Sequence, residues 1–305
     1  MKPRRSVMSI PGHIEKMHHK ASLSGVDVPM LDLEDSVPID KKDEARNLII
    51  KSINEIDWQN KSVTYRINGL DTEFFYNDVI EVIENAGSKI DAVVIPKVNN
   101  VGDVLAISRL LDGIELRKGF KNKIGIEVSI ESAEGLENIS AIAKCDSRIK
   151  TIVFGIADFQ ASIGAKLISI SGHGENEEDI YPGHRWNYVL SKIVTSAKAN
   201  NLLAIDAAYG NFKDDIGLKK SAQISRALGC DGKWAIHPNQ IETINRIFSP
   251  DKDEIARAKK IIEAHEQAIS EGKGAVAIEG KMVDFATIRM AKKLWQEAGF
   301  LGLLK

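Results

Sequence analysis

Residues 123–158 read KIGIEVSIESAEGLENISAIAKCDSRIKTIVFGIAD. Two runs rich in Val and Ile, Lys123–Glu131 and Thr151–Asp158, flank a helix-like amphipathic stretch. Strands that alternate with helices pair in parallel through right-handed crossovers. The same pattern recurs on both sides of this unit. The further runs are Arg5–Ile10, Val28–Leu33, Ser62–Asn68, Asp91–Lys97, Leu202–Ala208 and Gly232–Pro238. Eight such units predict an α/β fold closed into a (β/α)8 TIM barrel. An open doubly wound sheet is the alternative, disfavoured because neither G-x-G-x-x-G nor G-x-x-x-x-G-K-[ST] follows any run.

The repeat stops near Ser249–Pro250, where Ser249 can cap a helix with Pro250 at its first position. An amphipathic helix is expected from Asp251 to about Ser270, ended by Gly272 and Gly274. A short alternating pair turning at Glu279–Gly280 and a final helix, Phe285–Ala298, follow. The chain therefore divides into a catalytic barrel, 1–248, and a C-terminal helical lid, 249–305. The polar, Gly-rich stretch Ile170–His184 reads either as a solvated loop or as a loop over the barrel mouth.

Composition bounds the partners. The 305 residues are 43% hydrophobic and 28% charged with a formal charge of -2, which supports a sizeable core and argues against a nucleic-acid or membrane surface. The two cysteines, Cys145 and Cys230, read as reduced core thiols. The basic N-terminus has no apolar stretch of signal-peptide length, and no run reaches transmembrane length. A cytoplasmic protein is expected, and any anionic ligand must be held by local cations.

Those cations and their partners fall in register. Polar or ionisable residues stand at the C-terminal end of nearly every run: Asp32, Glu34 and Asp35; Arg66 and Asn68; Lys97; Glu131; Asp158; Asp206; His237. In a barrel these ends converge on one face, where barrel enzymes place their chemistry. A strand-end hydrogen bond explains any one of them, but not so many together. Carboxylates in a barrel mouth protonate, pair with a cation or bind a metal. Glu131 and Asp158, on adjacent strands, could share one ion, and an oxygen donor set suits Mg²⁺ rather than zinc. Arg66 could hold an anion bidentately or stabilise an oxyanion, or it could be an ion-pair partner of Glu34 or Asp35. His237 reads as a ligand contact or as a packed core histidine.

At these residues the sequence resembles the HpcH/HpaI aldolase family, in its citrate lyase β-subunit and malyl-CoA lyase branch. The matching stretches are SIPG at 9–12, LDLEDSV at 31–37, YRINGLDT at 65–72, VIPKV at 94–98, IEVSIESAEG at 126–135, FGIADFQASIG at 154–164, GKWAIHPNQI at 232–241 and GKMVDFATIRMA at 280–291. The resemblance implies a Mg²⁺-dependent carbon–carbon lyase, with Mn²⁺ able to substitute. Such an enzyme cleaves or forms a 3-hydroxyacyl-CoA, L-malyl-CoA or β-methylmalyl-CoA, to or from glyoxylate and acetyl-CoA or propionyl-CoA. It implies Glu131 and Asp158 as metal ligands, Arg66 beside the thioester oxygen, and Ala157, Asp158, Ile236 and His237 along the substrate and CoA. Asp284 would be the acid/base, carried by the lid of a neighbouring subunit in a homotrimer or hexamer. Asp32, Glu34, Asp35 and Lys97 would support them.

Two features depart from the malyl-CoA lyase pattern. Ile14 stands where those enzymes often place an arginine for the CoA phosphates, leaving Lys16 or Lys20 to substitute, and IDAAYGNFKD lacks their proline. The rival readings are a citramalyl-CoA or citrate lyase β-like enzyme, a malyl-CoA thioesterase, an aldolase acting on free 4-hydroxy-2-oxo acids, and a non-catalytic barrel.

Overall fold

A computed structural model describes residues 2–165, 185–270, 276–278 and 281–304. Each Val/Ile-rich run yields one strand: β1 (Ser6–Pro11), β2 (Val28–Asp32), β3 (Thr64–Arg66), β4 (Ala92–Ile95), β5 (Gly125–Ile130), β6 (Ile149–Phe154), β7 (Leu203–Asp206) and β8 (Gly232–Ala235). They pair in sequence order, all parallel, and β8 closes on β1 through Val7↔Trp234, giving the TIM barrel. The helices between them are α1 (Glu15–Leu23), α2 (Lys42–Glu55), α3 (Phe75–Ala86), α4 (Val101–Lys118), α5 (Ala133–Ile142), α6 (Ile156–Ser162), α7 (Asn187–Ala199), α8 (Asp215–Leu228) and α9 (Asn239–Ile247).

Side chains on a strand alternate between the barrel interior and the helix layer. The interior phase carries the buried cluster Val7, Val28, Met30, Val94, Val153, Ile205 and Trp234. Register places Asp32 level with Arg66, and Arg66 level with Val94, so both charged groups top the interior face. On β5 the same face holds Glu127 and Ser129, and Glu131 follows in phase. Glu127 is fully buried and paired with Arg4, which enters from just before β1. Removing one member of a buried pair strands the other charge. Arg4→Met should therefore cost about 3–5 kcal/mol in denaturant unfolding, and a second change, Glu127→Gln, should recover most of it. Near-additive losses in the double variant would exclude this pairing as the cause.

Three expectations need correction. The sixth run is strand only to Phe154, and Asp158 lies in the first turn of α6. Asp206 ends β7 on the outward phase and pairs at 2.5 Å with the fully buried Lys233, away from the mouth, because it follows the inward Ile205 by one residue. Ser249 is not the cap of the next helix: Asp251 and Glu254 form a reciprocal capping box there, at 2.7 and 2.9 Å.

The chain forms two compact units, Met1–Asn245 and Arg246–Lys305. The second unit holds α10 (Lys252–Ser270), an antiparallel pair β9 (Val276–Ile278) and β10 (Lys281–Val283), and α11 (Phe285–Phe300), with α10 packed on α11. Gly272, Gly274, the Glu279–Gly280 turn and the whole Ile170–His184 stretch lie outside the described residues. No helix among the described residues is long and apolar enough to cross a membrane. Of the two free cysteines, Cys230 is buried and Cys145 only partly so.

Candidate active site

Asp32 and Arg66 face each other because β2 and β3 place them in register. The Asp32 carboxylate accepts from Arg66 Nε at 2.7 Å and Nη2 at 2.8 Å, and from the amides of Glu34 and Ser36. Burial works against its ionisation, but the Arg66 charge and these bonds hold its carboxyl below the usual range. Arg66 is also buried, and burial there works against its charge. Asp32, Glu34 and Glu131 outweigh that effect and keep it above the ordinary arginine value. Its guanidinium lies 5.7 Å from the ring centre of Trp234 on β8. The bidentate edge of Arg66 is thus occupied by Asp32. The remaining terminal nitrogen, Nη1, lies 2.7 Å from Glu34 Oε2.

Glu34 links this pair to β4. Its other oxygen accepts from Lys97 Nζ at 2.9 Å, and both cations also approach the exposed Asp35, at 3.6 and 3.9 Å. Burial pushes the Glu34 carboxyl up, and Asp35 adds to this, while Arg66 and Lys97 oppose it. Lys97 has φ 51°, a left-handed backbone unusual for a residue with a side chain. That turn at the end of VIPKV brings its amide to Glu131 Oε1 at 3.4 Å while the ammonium reaches Glu34. Backbone strain of this kind, of order 1–3 kcal/mol, collects where surroundings over-determine a site.

Glu131 is buried, and its carboxyl lies beside that of Asp158. Burial raises it well above the usual carboxylate range, the Glu34 charge adds to this, and Arg66 and a Ser129 hydrogen bond oppose it. Gly155, between β6 and α6, makes the approach possible: a Cβ there would lie 2.4 Å from Glu131 Cγ. The β6 chain can therefore pass the Glu131 side chain and start α6 with Asp158 in its first turn, beside the exposed Ala157.

After β8, Ile236 is exposed and His237 half-buried. Their amides donate to Gln240 Oε1 at 2.9 and 3.3 Å, and Gln240 Nε2 donates to Tyr209 O at 2.7 Å. The His237 ring stacks on Phe212 at 4.8 Å and is half-buried, so it is not a packed core histidine. Asn68 turns away from the mouth to Lys42 and Asp78. Lys42 and Gln240 were missed by the sequence reading. Gln240 carries no signal beyond its place after the β8 run. Asp284, in the second unit, is exposed and caps α11, accepting from Thr287 N at 2.7 Å and Thr287 Oγ1 at 2.8 Å. Those bonds hold its carboxyl below the usual range.

The geometry therefore joins Asp32, Glu34, Arg66, Lys97, Glu131 and Asp158 in one chain of contacts at the C-terminal mouth. A relative from Rhodobacter capsulatus, an L-malyl-CoA/beta-methylmalyl-CoA lyase, is 40% identical over 293 residues, 94% of this chain and 92% of its own. A malyl-CoA/beta-methylmalyl-CoA/citramalyl-CoA lyase of Chloroflexus aurantiacus is 32% identical over 96% of this chain and 87% of its own. Among solved structures, CitE from Mycobacterium tuberculosis in complex with magnesium, acetoacetate and coenzyme A matches with a TM-score of 0.78. It is 25% identical, with 98% of each chain covered. The family signature of HpcH/HpaI aldolase/citrate lyase spans residues 5–238, from the start of β1 to the loop that carries His237. On that span, and on two relatives that align over nearly all of it and the tail, the chain belongs to the HpcH/HpaI aldolase/citrate lyase family.

Proposed function

We propose that this protein is a Mg²⁺-dependent lyase that joins or cleaves a carbon–carbon bond beside a CoA thioester carbonyl, with L-malyl-CoA or β-methylmalyl-CoA on one side and glyoxylate with acetyl-CoA or propionyl-CoA on the other. The observation that carries this reading is the buried Glu131 beside the half-buried Asp158, within reach of the Arg66 charge. Two carboxyl groups this close cannot both ionise without a cation. A hard divalent ion suits the pair, since both donors are carboxylate oxygens, and water and substrate oxygens would have to complete its shell. Mg²⁺, when bound, supplies Lewis-acid polarisation and orientation of the 2-oxo acid.

The chain's own residues do the rest. A methyl group beside a thioester is a weak acid, so negative charge on the thioester oxygen must be stabilised as the proton leaves. Arg66 Nη1 is the donor at the mouth, and one such donor is worth about 3–4 kcal/mol of barrel-mouth catalysis. Asp32 fixes the guanidinium so that this N–H needs no reorganisation. Ala157, Ile236 and His237 line the path of the acyl-CoA. Asp284 takes the methyl proton in condensation and returns it in cleavage. Both bonds from Thr287 fall on Oδ1, so Oδ2 is the oxygen that acts.

A substrate panel tests the reading. The enzyme is given Mg²⁺ and acetyl-, propionyl- or succinyl-CoA with glyoxylate, or with pyruvate, since the Chloroflexus aurantiacus relative is also a citramalyl-CoA lyase by name. Products are identified by mass. Malyl- or methylmalyl-CoA is expected, and free malate with CoA would mark hydrolysis instead. No adduct with any pair rejects the reading.

The proposal extends to the lid. Asp284 is carried by Arg246–Lys305 and would serve the mouth of a neighbouring subunit in a homotrimer or hexamer. Variants inactive at Arg66 and at Asp284, mixed under subunit exchange, should then recover a minority of activity. Exchange confirmed by mass spectrometry with no activity recovered places Asp284 within its own chain or outside catalysis.

A further inference from the structure

Lys42 opens α2 in the stretch DKKDEAR, a place where a lysine ordinarily faces water. It is buried instead, 6% exposed, and each of its three ammonium protons has an acceptor. Nζ donates to Leu33 O at 2.6 Å, to Glu34 O at 2.7 Å and to Asn68 Oδ1 at 2.7 Å. The first two acceptors are the backbone of the loop after β2. The third stands two residues beyond Arg66.

Asn68 is gripped from its other side as well. Its Nδ2 and its amide donate to Asp78 Oδ2 at 2.6 and 2.9 Å. Asp78 Oδ1 in turn accepts from Arg46 Nε at 3.1 Å, one turn along α2 from Lys42. Helix α2 thus holds both ends of the Asp32–Arg66–Glu34 contact from behind. Asp32 fixes the Glu34 and Ser36 amides from inside the mouth, and Lys42 fixes the carbonyls of the same loop from outside it.

Resting on the function proposed above, we infer that Lys42 is a positioning residue: buried at α2, it ties the Leu33–Glu34 carbonyls to Asn68 and so sets Glu34 and Arg66 at the mouth. Lys42 touches no reacting atom. Without it, three buried acceptors lose their donor, and the loop can satisfy them only by moving toward water. Glu34 moves with that loop, and Arg66 Nη1 loses the partner that aims it.

The test uses the full-length enzyme. Lys42→Met keeps an unbranched side chain one atom shorter and removes its donors. The folded variant is expected to lose about a hundredfold in kcat, as for a displacement of about 1 Å near the chemistry, while KM for the acyl-CoA changes by less than about threefold. Lys42→Ala should show the same loss and recover part of it, saturably, on addition of n-propylamine, an ammonium that fits the vacated space. Asn68→Ala cuts the tie on the β3 side alone and should give the same kcat-selective loss, which keeps the inference testable if Lys42→Met does not fold. Turnover in folded Lys42→Met within about threefold of wild type, or a fall in melting temperature with kcat unchanged, overturns it. Failure of the proposed reaction is a separate outcome. If the wild type converts no CoA thioester, hydrogen exchange decides: Lys42→Met should speed exchange at residues 33–36 and 67–69 and leave β5 and β6 unchanged. Uniform acceleration, or none, overturns the inference independently of any activity.

Discussion

Glu131→Gln is expected to abolish Mg²⁺ binding and turnover together, in a protein that keeps its circular dichroism and its cooperative melt. The amide has nearly the volume of the acid, and it can hydrogen-bond to Asp158, so the packing around Gly155 has no reason to fail. The lost charge is what matters, because a divalent ion held by two protein carboxylates cannot keep its affinity with one. Asp158→Asn should match it. Calorimetric titration with Mg²⁺ decides the point, and a normal binding isotherm in either variant removes that residue from the metal site.

The same carboxyl predicts a pH dependence with a definite sign. Burial first, and the Glu34 charge second, raise the Glu131 carboxyl above the ordinary carboxylate range. In the metal-free protein the fold therefore favours the protonated form, and stability from this group falls as pH rises from the ordinary value through the raised one. Mg²⁺ needs the ionised form, so its affinity falls as pH is lowered through the raised value, and binding releases a proton. The Mg²⁺-induced rise in melting temperature should then be larger at about pH 8 than at about pH 6. In Glu131→Gln this difference should vanish.

The barrel was legible because its strands are short Val/Ile runs whose spacing leaves room for one helix each. What misled was the step from strand end to barrel mouth. A residue at a strand end faces inward only if its parity matches, and Asp206 follows the inward Ile205 by one, so it meets Lys233 under the helices. The same parity rule, applied to IEVSIE, would have put Glu127, Ser129 and Glu131 on one face and flagged Glu127 as a buried charge in need of a partner. Arg4 could not be read as that partner, since it precedes the first strand and only closure of the barrel brings it to β5. Lys42 was silent for a related reason. Its neighbours in sequence are those of an exposed helix start, and its burial is created by a loop and a strand end that fold over it.

Arg66→Lys is expected to lose about a hundredfold or more in kcat, the effect of removing one oxyanion donor. The substitution keeps the charge, so it separates two readings that a change to alanine would blur. If Arg66 served only to neutralise Asp32 and Glu34, a lysine ammonium near both could do that, and turnover would stay near wild type. The geometry argues otherwise. Arg66 makes two parallel bonds to Asp32, 2.7 and 2.8 Å, and still directs Nη1 toward Glu34 at 2.7 Å, which takes three nitrogen positions in one rigid plane. An ammonium has one nitrogen on a flexible stem and would settle against Asp32, the more deeply buried and more acidic of the two partners, leaving no donor fixed at the mouth. The loss should appear in kcat and in kcat/KM alike, because the missing contact is one made to charge that develops during the reaction. Mg²⁺ affinity, measured in parallel, should change little, since Glu131 and Asp158 remain. A variant that loses Mg²⁺ binding along with turnover would instead place Arg66 in control of the metal carboxylates, and near wild-type turnover would leave it a structural ion pair.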